Sequence, residues 1–142
     1  MGGPVFDARP PPSDSGPIMR TPITPSNAPA ALGPYSRAIA HGGLLWTSGA
    51  LGLGADGALV EGGTVAQARQ ALTNLSAVCA AAGTDLTKAL RCTVYLVDLA
   101  DFEAVNQVYA SFFTAPYPAR TTVQVAALPK GGRIEIDAVV GL

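Results

Sequence analysis

PARTTVQVAALPKGGRIEID, residues 118–137, is the stretch of this sequence that decides its fold. Polar and apolar residues alternate in two runs, 120–125 and 134–137. That period of two is typical of a β-strand with one wetter face. Between the runs, residues 128–132 contain a proline and two glycines, which favour a connection over a continued strand. The pattern therefore predicts a β-hairpin.

This hairpin would bring two oppositely charged side chains into one place. Antiparallel pairing about a centre near Pro129 puts Glu135 opposite residues 123–125, within reach of Arg120 along the sheet. Charged residues make up 13% of the chain, against a typical ~25%, and an arginine in such surroundings is suited to bind a carboxylate bidentately. The alternative is an ordinary strand-edge arginine, solvated or paired, with Glu135 as the outward residue of its strand.

The size and composition of the chain predict one domain that meets another subunit. Its 142 residues suffice for one core. A net charge of -1 and a pI near 5.6 disfavour nucleic acid or an anionic membrane as partner. The hydrophobic content is 49% and the mean hydropathy +0.31, yet no apolar run approaches the ~20 residues that span a bilayer. The excess apolar surface is expected to contact another subunit.

The cysteines and the histidine limit the chemistry that the chain can perform. Cys79 and Cys92 are expected to be reduced core thiols, because neither belongs to a CxxC pair or lies beside metal-spaced histidines. We therefore expect a reducing compartment, the cytoplasm. His41 is the only histidine, which excludes His-dependent metal clusters and leaves one candidate, in a hairpin turn, for a Ser-His-Asp arrangement.

The first part of the chain is predicted to be a flexible extension. Residues 1–30 contain eight of the twelve prolines and scarcely any periodic apolar pattern. We expect residues 1–26 to be a mobile arm and residues 27–142 to form the folded domain. The arm lacks the basic and apolar regions of a secretory signal, and Met19 is a candidate natural start.

Two short strands are predicted at the beginning of the domain. Residues 35–40 and 44–48 are joined by His41-Gly42-Gly43, which is glycine-rich enough for a tight hairpin. Gly49 then permits close approach of a ligand or another strand. Ser48 is also consistent with a plain strand-end hydroxyl, and Tyr35 with a packing residue whose hydroxyl finds a partner.

Two helices and a further strand give the predicted order β-β-α-β-α-β-β. A capping box at residues 64–67 begins a helix that ends at Gly83. Residues 90–99 are apolar on both faces, as in a strand that is buried twice. Asp101 then caps a second helix, whose apolar stripe ends at Phe112. Because two helices cover only one face of a sheet, we expect self-association to bury the other face.

Five blocks resemble the Rid family, the reactive intermediate deaminases also called YjgF-like proteins. They are NAPAALGPYSRA, TSGALGL, AQARQALTNLSAV with AAG, TVYLVDLADFEAVNQVY with FF, and PARTTVQVAALPKGGRIEIDAVV. The likeness runs from about Asn27 to Leu142. It implies a chorismate-mutase-like α+β subunit with a mixed sheet, in a homotrimer with a barrel core and three clefts between subunits. It also implies hydrolysis of enamines and imines such as 2-aminoacrylate and 2-iminopropionate to a 2-keto acid and ammonia, without metal or cofactor.

The resemblance also implies roles for particular residues. Arg120 would hold the substrate carboxylate, and Glu135 would orient water. The other residues implied are Tyr35, as a catalytic residue, and Ser48, Gly49, Asn106 and Thr122, as substrate-binding residues. Thr122 stands where deaminases matched to 2-iminopropionate often have cysteine, and the link from residue 113 to 118 is short; both bear on the substrate range.

Three functions follow from these observations. The leading hypothesis is a deaminase that clears small 2-imino acids. The second is a trimer that binds small carboxylates, or acts as a chaperone, without turnover; release of ammonia distinguishes the two. The third is an endoribonuclease, which is disfavoured because an acidic chain with one histidine lacks both phosphate-binding charge and the usual acid and base pair.

Overall fold

A mixed seven-stranded sheet with two helices makes up the computed structural model, which describes residues 19–26 and 31–142. Its elements are β1 (Thr21–Ile23), β2 (Ala38–His41), β3 (Leu44–Thr47), β4 (Ala50–Leu51), α1 (Gly63–Ala81), β5 (Ala89–Leu96), α2 (Phe102–Ala110), β6 (Ala119–Gln124) and β7 (Ile134–Gly141). The predicted α+β class is confirmed. Among the described residues, neither helix has the length and apolar character needed to cross a membrane.

The sheet separates the two strands that the sequence pattern pairs. The strand order is β1-β2-β3-β7-β5-β6, and the two-residue β4 adds to β7. β5 and β6 are parallel, whereas β5 and β7 are antiparallel. The predicted hairpin over residues 118–137 is therefore wrong, because β5 lies between its two strands. A period of two identifies a strand but not its neighbour, and α2 supplies the crossover that a parallel pair needs.

The face of the sheet that the helices cover, called the inner face, carries the core. The residues of β5 and β7 that point to it are at most 3% exposed: they are Cys92, Val94, Leu96, Ile134, Ile136, Ala138 and Val140. From α1, Leu72 and Leu75 pack into the same cluster. The alternation of β7 is thus explained by burial of every second side chain against the helices.

The opposite face, called the outer face, is uncovered in a single chain. Ile39, Trp46 and Val139 lie side by side across β2, β3 and β7, and Trp46 is 50% exposed. On β5, Tyr95 is only half-buried. Residues 90–99 are expected from the sequence to be buried on both faces. Within one chain, only their inner face is buried. On the outer face of one chain, Ile39 and Val139 are thus partly buried and Trp46 is exposed.

The predicted capping box of α1 is wrong. The N-cap is Gly62, without a side-chain cap. The Thr64 hydroxyl donates instead to Oδ2 of Asp101 at 2.7 Å, and Oε1 of the buried Gln67 accepts from the backbone N–H of Arg133 at 2.8 Å. Asp101 is the N-cap residue of α2, but its carboxylate is likewise used by Thr64 and not by its own helix. The side chains of Thr64, Gln67 and Asp101 therefore hydrogen-bond to residues distant in the chain and do not cap their own helices.

The sheet begins earlier than the sequence suggests. Thr21–Ile23, inside the segment expected to be a flexible extension, forms β1 and pairs antiparallel with β2. Residues 1–18 of the expected mobile arm 1–26 lie outside the described residues, as do residues 27–30 at the start of the first resemblance block. The predicted β2–β3 hairpin is confirmed, with positive φ at both Gly42 and Gly43.

We expect the native protein to resist alkylation of its thiols. Cys79 and Cys92 are 0% exposed, and burial, followed by the charge of Asp85, raises the pKa of Cys79 to about 11. Burial also raises the pKa of Cys92. Because the thiolate is the nucleophile, iodoacetamide at pH 8 should label neither cysteine in the native state and both in guanidinium chloride. Mass spectrometry measures the labelling; rapid modification of the native chain would contradict the placement of the thiols.

Candidate active site

A cavity of about 460 Å³ opens beside β4, and four of the predicted site residues line it. They are Tyr35, Ser48, Gly49 and Glu135. The remaining wall is mainly apolar and includes Leu51 and Leu53 after β3 and Leu75 and Val78 from α1. An apolar cavity with a few convergent polar groups is the usual form of a small-molecule site.

The end of the β2–β3 hairpin places the hydroxyl groups of this cavity. The backbone N–H of Ser48 donates to the carbonyl of Arg37 at 2.9 Å, which extends the ladder by one residue. The Ser48 hydroxyl donates to the carbonyl of Ser36 at 2.6 Å, so its proton is used and its oxygen remains an acceptor in the cavity lining. The Tyr35 hydroxyl accepts from the N–H of Leu32 at 3.1 Å and retains its own proton for a ligand.

Gly49 lies against the Glu135 carboxylate. A Cβ atom at this position would be 2.6 Å from Oε1 and 2.7 Å from Cδ of Glu135, closer than atoms of this kind approach. A side chain at position 49 is limited by the space beside Glu135 and not by the backbone conformation of Gly49. A larger residue here would force the Glu135 carboxylate to move, because the chain passes directly beside this side chain, which also lines the cavity.

The Glu135 carboxyl group is a stronger proton acceptor than an exposed glutamate. Burial raises its pKa, and the charge of Asp137, two residues along β7, raises it further. Tyr95 lies opposite Glu135 on β5, and its hydroxyl donates to Oδ2 of Asp137 at 3.2 Å. A carboxylate of raised pKa is suited to accept a proton from water.

Arg120 lies away from this cavity, between two aromatic rings of α2. Its guanidinium carbon is 5.5 Å from the ring centroid of Phe102 and 4.7 Å from that of Tyr109. In the part of the chain that the structure describes, no carboxylate pairs with Arg120. The rings fix the guanidinium by cation–π contact and leave its N–H donors available to an anion.

Two more predicted residues accompany Arg120. Asn106 is four residues after Phe102 and three before Tyr109, so it shares their helical stripe. Thr122 follows Arg120 by two residues on the same face of β6, and its Oγ1 is buried without a hydrogen-bond partner among the described residues. An unpaired buried hydroxyl is costly, which is consistent with a partner supplied by a ligand.

Arg120 and Glu135 do not share a site within one chain. Arg120 is opposite Cys92 and therefore points to the inner face, whereas Glu135 is opposite Tyr95 and points to the outer face. The Cα atoms of Arg120 and Glu135 are separated by three residues along the strand direction and by two strand spacings across the sheet. This separation amounts to about 14 Å. The predicted proximity of the two side chains is wrong for a single chain, because it relied on the hairpin.

Sequence reasoning missed two polar residues of the cavity, Arg37 and Asn74. Arg37 belongs to the GPYSRA block but was not assigned a role. Asn74 lies on α1 seven residues after Gln67, so the two amides share a face. That spacing of polar residues, in a helix whose buried residues after Gln67 are apolar, is the signal that could have identified Asn74.

The described residues contain no evident metal site. No three His, Cys, Asp or Glu side chains within the described residues lie close enough together to hold an ion. His41 ends β2 at the opposite end of the hairpin from Ser48, and it is exposed. It therefore does not form a catalytic triad with that serine.

The chain is similar to one described protein family and to several named proteins. The family described as Endoribonuclease L-PSP matches residues 25–141. The chain is 50% identical over 123 residues to the 2-iminobutanoate/2-iminopropanoate deaminase of Capra hircus, covering 86% of this chain and 90% of that protein. RidA from the Antarctic bacterium Psychrobacter has a TM-score of 0.83 at 44% identity, covering 87% of this chain and 100% of that one. TdcF from E. coli with bound serine has a TM-score of 0.80 at 35% identity, covering 86% and 98%.

We expect Gly49→Ala to move the Glu135 carboxylate without unfolding the protein. The added methyl group would overlap Oε1, and the end of a glutamate can rotate into the adjoining cavity. Because burial is the main cause of the raised Glu135 pKa, a better hydrated carboxylate should have a pKa closer to its ordinary value. NMR titration of the labelled carboxyl carbon measures it. Gly33→Ala, whose Cβ would be 3.8 Å from the nearest atom, is the control; an unchanged pKa in Gly49→Ala would refute the contact.

Proposed function

The chain belongs to the Rid/YjgF family, and from that premise we propose that it hydrolyses reactive 2-imino acids and their enamine tautomers to 2-keto acids and ammonia. The observation that carries the proposal is the Arg120 guanidinium, held between two rings with its donors open, on a chain 50% identical to a named imine deaminase. A 2-imino acid offers the carboxylate that this guanidinium is suited to bind.

The reaction needs a fixed substrate, a positioned water and a proton carrier. Arg120 binds the carboxylate and thereby orients the C=N carbon. Glu135 accepts a proton as water adds to that carbon of the protonated imine, which gives a carbinolamine, and passes the proton to the amino nitrogen. As the C–N bond breaks, the carbinolamine oxygen becomes the keto oxygen, and the proton of its hydroxyl group goes to the Glu135 carboxylate and from there to the departing ammonia. The products are the 2-keto acid and ammonia, and the glutamate is regenerated. The raised pKa of Glu135 favours the first transfer.

Two copies of the chain form each complete site in this proposal. Within one copy, Arg120 points to the inner face and Glu135 to the outer face. A substrate held by Arg120, on the edge strand β6 of one copy, meets Glu135 of a neighbour when that edge lies against the neighbour's outer face. The uncovered row of Ile39, Trp46 and Val139 supports such association, and a homotrimer has three such clefts.

The other site residues take hydrogen-bonding roles on the two sides of the cleft. On the side of Arg120, the unpaired Thr122 hydroxyl and the Asn106 amide contact the substrate. On the side of Glu135, Tyr35 and Ser48 line the cavity and bind the nitrogen end or the water. TdcF holds serine, a small amino acid with the same α-carboxylate, which supports a ligand of this class.

The family description names an endoribonuclease, but this chain favours a small carboxylate. Its net charge is -1 and its one histidine, His41, lies away from the cavity lining. RNA cleavage needs phosphate-binding charge and an acid and base pair. A trimer that binds without turnover is distinguished by the assay below.

Arg120→Lys tests the proposal by separating charge from geometry. The lysine keeps the charge but loses the bidentate fork, an interaction worth roughly 1.5–3 kcal/mol, so kcat/KM should fall about 10- to 150-fold. Arg120→Ala should reduce it further. Ammonia release is measured from imines that an amino-acid oxidase generates in situ.

Arg69→Lys, at an exposed position of α1, is the matched control and should keep wild-type kcat/KM. Retention of near wild-type kcat/KM by folded, assembled Arg120→Lys would show that Arg120 does not hold the substrate. Absence of ammonia release by the wild-type protein from the whole panel of imines would favour the binding trimer.

Mixing two variants of low activity tests whether copies share the site. Arg120→Ala and Glu135→Gln are unfolded together and refolded as a mixture, and light scattering checks the trimer. If each site takes Arg120 from one copy and Glu135 from another, random mixing restores both side chains at about a quarter of the sites, and the activity to about a quarter of wild type. If one chain supplies both residues, the activity of the mixture stays at the low level of the two variants.

A further inference from the structure

The Glu135 carboxylate depends on β4, a strand too short to hold its own position. β4 has two residues, and Leu51 lies opposite Glu135 in the ladder with β7. Gly49, just before β4, contacts the carboxylate itself. A two-residue ladder is weak in isolation. A shift of β4 would therefore move both the backbone partner and the side-chain neighbour of Glu135.

Asn74 on α1 holds this strand from the side of the helix. Its Nδ2 donates to the carbonyl of Leu51 at 3.1 Å and to that of Leu53 at 2.9 Å. Its Oδ1 accepts from Nε2 of Gln70, one turn earlier, at 2.8 Å. Both amide hydrogens and the amide oxygen are thus used, which fixes the orientation of the side chain.

The contact between α1 and the β4 segment leaves little room for adjustment. A Cβ atom on Gly52 would be 2.6 Å from Cα of Gln67, so the strand lies directly on the helix backbone. Gln67 also accepts from the N–H of Arg133, two residues before Glu135. One face of α1 therefore holds both strands that lie next to the Glu135 carboxylate. Gln67 binds the backbone just before β7, and Asn74 binds the backbone of β4.

From these contacts we propose that Asn74 is a positioning residue for Glu135, an inference that rests on the proposed function. Asn74 clamps two carbonyls of the β4 segment, and β4 with Gly49 sets where the carboxylate lies. Asn74 lines the cavity, but its amide hydrogens are committed to the backbone and not to substrate. Because a displacement of about 1 Å can cost on the order of 100-fold in rate, losing the clamp should affect kcat.

Asn74→Asp is the direct test. Aspartate has the same size but cannot donate, so the carbonyls of Leu51 and Leu53 lose their partner and face a negative charge. We expect kcat for imine hydrolysis to fall about tenfold and KM to change less than about twofold, since Arg120 on another element holds the carboxylate. Thr73→Asp adds the same charge one residue away, on the exposed side of α1, and should keep wild-type kcat. Asn74→Ser, which retains one donor, should give a smaller fall and serves if Asn74→Asp does not fold.

A double-mutant cycle with Glu135→Gln separates positioning from general destabilisation. If Asn74 acts through Glu135, the Asn74 substitution should lower kcat less than about threefold in the Glu135→Gln background. An equal loss in both backgrounds, or wild-type kcat in folded Asn74 variants, would overturn the positioning role and leave the proposed function intact. Wild-type kcat in Glu135→Gln would instead contradict the proposed function itself.

Discussion

The pairing of β5 on both edges is the constraint on which the rest of the structure depends. β6 pairs with one edge in parallel and β7 with the other edge in antiparallel orientation. These ladders turn Arg120 toward the helices and Glu135 toward the outer face, with a full strand between them. The same pairing buries Cys92, Val94 and Leu96 between sheet and helices. The burial of these core residues and the placement of Arg120 and Glu135 on opposite faces thus follow from the same strand pairing.

Helix α1 ties the two halves of the site to one rigid element. At its start, the Thr64 hydroxyl donates to Asp101 and accepts from Nε of Arg133 at 2.8 Å, which joins the beginnings of α2 and β7. Asp101 precedes Phe102, whose ring contacts the Arg120 guanidinium. Further along the helix, Asn74 holds the segment beside Glu135. Groups that must be placed within fractions of an ångström are best supported by such packed, hydrogen-bonded neighbours.

The chemistry assigned to each half suits its surroundings. The guanidinium of Arg120 is planar and delocalised, so it can stack on the rings of Phe102 and Tyr109, which orient it. Glu135 needs basicity, and partial burial beside Asp137 provides it. If both side chains lay together in one chain, their attraction would lower the glutamate pKa and occupy the guanidinium. Separation onto opposite faces prevents this pairing within one chain.

The sequence by itself determined the α+β class, most strands and both helices, because local periodicity records burial residue by residue. It also named four residues that line the cavity, Tyr35, Ser48, Gly49 and Glu135. It misplaced the hairpin of residues 118–137, the capping box at Thr64 and Gln67, and the start of the sheet at Thr21–Ile23. Each of these depends on a partner distant in the chain. Only the tertiary structure decided that β5 separates β6 from β7, because a period of two is satisfied by any neighbour that buries the same face.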